Sequence, residues 1–107
     1  MKITVKGQEY TCEKISRTKY AKFRDTYQKI TKDDPDKMIF TEEDLDDMVE
    51  VIVFVYDNAF TVDDINDDLD VPEIMFHFSL INAEVMNKVN LQTDVAKKNS
   101  ILMDSLN

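Results

Sequence analysis

The sequence predicts a mainly α-helical single domain, in which four to five helices follow a small N-terminal β-hairpin. The chain has 107 residues, enough for one domain with a modest core. It contains one glycine and two prolines, whereas a sheet-rich fold needs many tight turns. Apolar residues recur at helical spacing over most of the chain. We therefore expect helices joined by short polar loops.

The hairpin is predicted at residues 2–6 and 9–14. Ile3 and Val5 before Gly7, and Tyr10 and Cys12 after it, alternate with polar residues, which is typical of strands with one buried face. Gly7 adopts a positive φ angle without steric cost, so the turn is expected there. A helix must cover the apolar face of so small a hairpin.

The first helix is predicted at residues 16–32 and the second at about 41–58. The apolar stripe of the first helix consists of Tyr20, Phe23, Tyr27 and Ile30. The second helix begins at Thr41, whose hydroxyl caps a first turn rich in acidic residues. Its broad apolar face consists of Leu45, Met48, Val49, Ile52, Val55, Tyr56 and Ala59. The β-branched residues 51–55 are also compatible with a strand, but the helical spacing that starts upstream favours a helix.

A short third helix is predicted at about 61–69 and a long fourth helix at about 71–90. Asp70 and Pro72 mark the start of the fourth helix, as capping residue and first-turn proline. One apolar face of this helix consists of Ile74, Phe78, Ile81, Val85 and Val89, and a second stripe of Phe76, Leu80 and Ala83. Residues 1–90 thus form the predicted helical domain, and residues 91–107 a polar tail or a short helix.

The charges are sorted along the chain. Residues 1–32 hold 9 basic and 3 acidic residues, residues 33–73 hold 1 and 16, and residues 74–107 hold 3 of each. The net charge of −9 predicts that the protein does not bind nucleic acid, because phosphate backbones repel it. Cys12 is the only cysteine, which fits a reducing compartment. The sequence shows no signal segment and no membrane-spanning run, so we expect a cytosolic protein that does not enter the membrane.

We expect no enzymatic activity, since the sequence lacks a recognisable catalytic, cofactor-binding or metal-binding set. His77 is the only histidine and falls on the polar face of the fourth helix. It lacks the nucleophile and the orienting partner that catalysis requires. A calcium loop that starts at Asp64 would need glycine where Leu69 stands and glutamate where Met75 stands. The acidic run is expected to face water instead.

Apolar residues at the surface are therefore the main functional signal. Phe54 falls on the side of the second helix that points away from its main face, among acidic residues. One interpretation is that a second layer of the domain covers this ring, since most large aromatic side chains are buried. The other is an apolar groove, rimmed by acidic residues, that binds a partner. The predicted partner-binding residues are Val51, Phe54, Phe76, Leu80 and Ala83.

The order of these elements resembles that of the tail assembly chaperones of long-tailed, siphophage-type bacteriophages. The resemblance covers most of residues 1–90. It rests on the hairpin Lys2-Ile-Thr-Val-Lys-Gly-Gln-Glu-Tyr10, a basic helix, a capped apolar helix, and the helix starts Phe60-Thr-Val-Asp-Asp-Ile65 and Asp70-Val-Pro-Glu-Ile74. The resemblance implies a mostly helical protein of the host bacterial cytoplasm that is not part of the mature virion.

The resemblance also implies the partners. Tail assembly chaperones coat the hydrophobic tape measure protein before the tail tube polymerises around it. In many members, ribosomal slippage produces a longer form that recruits the tail tube protein. Lys97-Lys98-Asn99 can be encoded by an adenine run that favours slippage, or these residues can be an ordinary polar segment.

Self-association is implied as well, and the charge distribution offers a way to achieve it. The basic first helix and the acidic second and third helices can pair between copies, which would produce a homo-oligomer. The candidate residues are Lys19, Lys22, Lys29, Asp63, Asp64, Asp67 and Asp68. Alternatively, these charges pair within one copy or face water, since exposed ion pairs are individually weak.

The main alternative function is that of an acidic inhibitor that mimics nucleic acid and blocks a DNA-binding protein. The two functions predict different binding surfaces. A chaperone should depend on Phe54 and Leu80, and its binding should change little with salt. A mimic should depend on the acidic residues of the third helix and weaken steeply with salt.

Overall fold

The computed structural model describes the backbone of residues 1–106 and the side chains of residues 1–91. Within that range the chain forms two strands and four helices. Their order is β1 (Lys2–Val5), β2 (Gln8–Thr11), α1 (Arg17–Thr31), α2 (Glu42–Val55), α3 (Val62–Asp68) and α4 (Val71–Leu106). The predicted fold class, a mainly helical domain behind a small hairpin, is confirmed.

The strands β1 and β2 form an antiparallel hairpin in which Val5 pairs with Gln8. Lys6 and Gly7 make the turn with φ angles of 50° and 78°, the left-handed pair that suits a two-residue hairpin. Ile3 and Val5 are each 2% exposed, so one face of β1 packs on the core. The helices cover this face, as a two-stranded hairpin requires.

The helices α1, α2 and α3 begin where the sequence predicts, each after a hydroxyl cap. The side chains of Ser16, Thr41 and Thr61 accept a hydrogen bond from the backbone N–H three residues later. In α2 and α3 that later residue is an aspartate, Asp44 or Asp64, whose carboxylate accepts the N–H of the cap in return. Both helices are thus fixed at their N-terminal ends by reciprocal bonds between neighbours in sequence.

The C-terminal end of α2 differs from the prediction. The helix ends at Val55 and not near residue 58, because Asp57 and Asn58 adopt left-handed φ angles of 59° and 57°. Aspartate and asparagine tolerate this conformation better than most residues do. Ala59 is consequently exposed and does not share the apolar face of the helix.

The fourth helix is longer than predicted. It does not end near residue 90 but continues to Leu106, so residues 91–106 are the end of α4 and not a separate tail or short helix. The physical reason is that no glycine or proline follows Pro72, so nothing in the sequence breaks the helix. The side chains after Leu91 lie outside the described residues. Those of Lys97-Lys98-Asn99 are among them.

The helix α2 lies at the centre of the core. Val51 and Val55 are 0% exposed and Ile52 is 1% exposed, so the segment for which a strand was the alternative is a buried helix. The helices α1, α3 and α4 all pack against α2. The rings of Phe23 in α1 and Phe78 in α4 lie 4.9 Å apart, which joins the two outer helices over the core.

Asp44 links the start of α2 to the segment before it. Its carboxylate is buried and lies 2.6 Å from the ammonium group of Lys37. The hydrogen bond from Lys37, followed by that from the backbone N–H of Thr41, lowers the pKa of Asp44 below its ordinary value of 3.8. The ionised carboxylate therefore stabilises the folded state.

Replacing this carboxylate by an amide should make stability respond differently to acid. At neutral pH, Asp44→Asn is expected to lower the free energy of unfolding by about 1 kcal/mol, because the first turn of α2 loses the negative charge that pairs with Lys37 and the helix dipole. The pKa of Asp44 is lower in the folded than in the unfolded chain, so its contribution is present above about pH 4 and is lost as the pH falls further. Urea unfolding of both proteins over a pH series measures this. Asp46→Asn, at an exposed position of α2, is the control. A difference that persists unchanged in acid would contradict the prediction.

Candidate partner-binding groove

The structure places the predicted partner-binding residues in different environments. Val51 is 0% exposed and cannot line a surface groove, contrary to the prediction. The reason is that α1, α3 and α4 surround α2 and cover most of its circumference. Phe76 is 60% exposed, Ala83 is exposed and Leu80 is half-buried. Their spacing places these three residues on the outer side of α4, away from the face that packs on the core.

Phe54 is half-buried and lies at the edge of α2 that faces α1. Asp47 is two helical turns earlier on the same face, and its carboxylate lies 3.0 Å from the ammonium group of Lys29 in α1. Among the aromatic contacts of side chains 1–91, the ring of Phe76 meets His77 and not Phe54. A groove shared by Phe54 and Phe76 stays a prediction.

The basic residues proposed for self-association mostly pair within the chain. The ammonium group of Lys19 lies 3.1 Å from the carboxylate of Asp57. That of Lys29 lies 3.3 Å from Glu43 and 3.0 Å from Asp47. Both lysines thus bind the acidic α2 region of their own copy, which is the alternative that the sequence left open.

The acidic residues of α3 face the hairpin turn. The ammonium group of Lys6 lies 3.1 Å from Asp64 and 4.0 Å from Asp67, and its backbone N–H donates to Asp68 at 2.8 Å. The hydrogen bond to Asp64 is the main cause that raises the pKa of Lys6. Lys22 and Asp63 are exposed. Pairing of these charges between copies stays a prediction.

A groove of about 470 Å³ lies between α1 and α4, and we call it the α1–α4 groove. Tyr20, Phe23 and Tyr27 form its α1 wall, with neighbouring rings 6.0 Å apart. Tyr27 is 48% exposed, so the groove is open to solvent along this row of aromatic rings. The three residues recur at spacings of three and four, which places them on one face of α1.

The other boundaries of the groove come from three parts of the chain. Met75 and Phe78 form the α4 wall, Met48 of α2 contributes from the core, and Phe40 closes the end nearest the α1–α2 linker. At the opposite end, the hydroxyl of Tyr20 lies 3.4 Å from Oδ1 of Asn82, within hydrogen-bond distance. Aromatic rings and methionines therefore dominate a surface that is held in place at both ends.

The groove differs in charge from the rest of the molecule. No aspartate or glutamate of residues 1–91 lines it, although the chain contains 22 acidic residues. Its charged lining residues are Arg24 and Lys37. The predicted groove, with an acidic rim, consisted of other residues, none of which lines this one.

A family model for phage tail chaperone proteins matches residues 1–101 of the chain. The chain belongs to this family. The resemblance to tail assembly chaperones that the order of elements indicated is thereby confirmed. Comparisons with curated proteins and with solved structures find no match.

The α1 wall of this tail chaperone was predicted as core and not as a binding surface. Helical spacing places Tyr20, Phe23 and Tyr27 on one apolar face, but spacing does not tell how far a neighbouring helix covers that face. The available signal is the choice of tyrosine at two of the three positions. Tyrosine is favoured where one end of a side chain is buried and the other meets solvent, as at protein interfaces.

The described part of the tail chaperone contains neither a metal-binding cluster nor a membrane-spanning helix. No three His, Cys, Asp or Glu side chains among residues 1–91 are grouped to hold a metal ion. His77 is half-buried, its ring centroid lies 5.3 Å from that of Phe76, and burial lowers its pKa. None of the helices within the described range is both long and apolar enough to cross a bilayer.

Proposed function

We propose that this tail chaperone binds an apolar helical segment of the tape measure protein in the α1–α4 groove. Binding keeps that protein soluble in the host cytoplasm until the tail tube polymerises around it. The observation that carries the proposal is the groove itself, an open aromatic surface in an otherwise acidic protein. Membership of the family supports a client among the tail proteins.

The dimensions of the groove suit a helix. Its α1 wall extends from Tyr20 to Thr31, which at the rise of an α-helix is about 16 Å. A client helix of about three turns covers that length and presents apolar side chains at three- and four-residue spacing. Met48 and Met75 in the lining have unbranched, flexible side chains, so the groove can adapt to client segments of different sequence.

The α1–α2 linker extends the apolar surface beside the groove. Met38 and Ile39 are 87% and 86% exposed, and they lie between Lys37 and Phe40, which both line the groove. Large side chains this exposed contribute little to folding and are available to contact a client. The acidic residues elsewhere keep the loaded complex soluble by mutual repulsion. We infer that the protein acts by binding and not as an enzyme.

Co-expression with the tape measure protein of the same phage tests the proposal. We expect the tape measure protein to remain in the supernatant after centrifugation when this chain is present, and to pellet when it is absent. The two proteins should co-purify, and the complex should survive an increase from about 0.1 M to about 1 M salt, since apolar contacts are not screened. Pelleting of the tape measure protein in the presence of the chain would show the proposal to be wrong.

The same salt series separates the proposal from the nucleic-acid-mimic alternative. A mimic would lose its partner steeply with salt and would depend on Asp63, Asp64, Asp67 and Asp68. Three of these carboxylates already bind Lys6 within the chain, which leaves them less available to an external partner. The pairing of these carboxylates within the chain therefore favours the chaperone function over the mimic.

Two further partners belong to the proposal. We propose that a longer, frameshifted form recruits the tail tube protein and that copies of the chain associate with one another. Sequencing the DNA through the codons of Lys97-Lys98-Asn99 tests the first, because an adenine run there favours slippage and a longer form needs an overlapping reading frame. Sedimentation at several protein concentrations tests the second.

A further inference from the structure

We infer that the α1–α4 groove selects a client helix that is apolar on its buried face and carries an acidic side chain beside that face, where it meets Arg24. This inference rests on the proposed function, since it describes the client of the same groove. It follows from how charge is distributed in the lining, and from which of the lining cations is free to bind a partner.

Among the described side chains, residues 1–91, no carboxylate lines the groove, and its polar lining residues other than Arg24 and Lys37 are uncharged. An acidic client side chain therefore meets no like charge in the groove, whereas a basic one meets two. Over the rest of the surface the opposite holds, because the net charge is −9. The groove thus favours acidic client side chains, whereas the rest of the surface favours basic ones.

The two cations that line the groove, Lys37 and Arg24, differ in how far they are already paired. The ammonium group of Lys37 lies 2.6 Å from the buried carboxylate of Asp44 and is committed to that pair. Arg24 is in a different position. Its side chain is 54% exposed, and among side chains 1–91 its ionic contact is with one carboxylate oxygen of its sequence neighbour Asp25, at 3.3 and 3.4 Å. Most of its five N–H donors remain available, so Arg24 is the lining cation that can bind a client.

Arg24 lies beside the aromatic rings of the α1 wall. Arg24 follows Phe23 directly and stands between Tyr20 and Tyr27, so a client helix lying on these rings passes beside the guanidinium group. A planar guanidinium binds a carboxylate with two parallel hydrogen bonds and therefore constrains the orientation of its partner. The apolar rings hold the helix in the groove, while the ion pair fixes its register and direction.

The test uses overlapping synthetic peptides that cover the tape measure protein, with binding to the full-length chaperone measured by fluorescence anisotropy. Among peptides that bind, we expect large apolar residues at helical spacing together with an acidic residue beside them. In the tightest peptide, replacing that acidic residue by lysine should weaken binding by about threefold to tenfold, as for an exposed ion pair and its reversal. The variant Arg24→Glu should then prefer the lysine peptide over the acidic one.

Lys14→Glu provides the matched control. It makes the same change in net charge at an exposed position before α1, at a residue that does not line the groove. This variant should keep the preference for the acidic peptide. Equal binding of the acidic and lysine peptides, or the same preference in Arg24→Glu as in the wild type, would overturn the inference. So would a failure of every peptide to bind while the intact tape measure protein stays soluble, and that result would leave the proposed function standing. Pelleting of the intact protein, by contrast, contradicts the proposed function.

Discussion

Replacing Ile52 by alanine is expected to lower the free energy of unfolding by about 2–5 kcal/mol. Ile52 is 1% exposed in the central helix α2, which α1, α3 and α4 contact. Removal of its side chain therefore loses apolar burial and leaves a cavity that the surrounding helices fill only in part. Domains of this size are stabilised by about 5–15 kcal/mol in total, so the loss is a large fraction. Urea unfolding followed by circular dichroism measures it.

The chain offers a matched control for this substitution. Ile39→Ala removes the same atoms from a side chain that is 86% exposed, and its effect is expected to stay within about 0.5 kcal/mol. The Ile39 variant also tests the linker, because its binding to the client is expected to fall while its stability does not. Equal losses of stability in the two variants would contradict the central position of α2.

Replacing Tyr27 by aspartate is expected to release the tape measure protein from the chaperone. The ring of Tyr27 is 48% exposed at the open side of the α1–α4 groove, so it is available to a client helix. Burial of the exposed half of such a ring contributes about 1 kcal/mol, so its loss weakens binding by about fivefold. A carboxylate that must be desolvated weakens it further. Co-expression followed by centrifugation measures the soluble fraction of the tape measure protein.

Two variants make this result specific. Tyr27→Phe retains the ring and is expected to retain binding. Phe76→Asp places the same charge on the outer side of α4, where the sequence predicted the partner, and is also expected to retain binding. Urea unfolding of all three variants identifies any loss that comes from misfolding. If Tyr27→Asp binds normally and Phe76→Asp does not, the client docks on α4 as the sequence predicted, and the groove assignment is wrong.

The comparison of sequence and structure shows which features short-range patterns determine. The starts of α1, α2 and α3 were predictable because Ser16, Thr41 and Thr61 cap residues only three positions away. The hairpin turn was predictable because Gly7 permits a positive φ angle. The end of α4 was not predictable from the polarity of residues 91–107, since a helix without a breaker can extend well past the last strongly apolar turn.

The residues of the candidate groove were not predictable from the sequence. An apolar docking surface was expected, but Val51 lies in the core and Phe54 lies beside α1. Apolar faces can be identified from spacing along one helix, whereas the covering of a face depends on how several helices are rotated against one another. Tyr27 is the converse case. Its spacing matched an apolar face that packs on the core, but its ring is half exposed.

The sequence by itself determined the mainly helical class, the caps, the apolar faces and the separation of basic from acidic segments, because each depends on residues close together in the chain. Tertiary structure alone decided that Lys19 and Lys29 pair within one copy and that a groove without carboxylates lies between α1 and α4. These features depend on which faces meet when α1 and α4 pack on α2. That packing is set by the fit of side chains distant in sequence, such as Phe23 and Phe78, and no local pattern contains it.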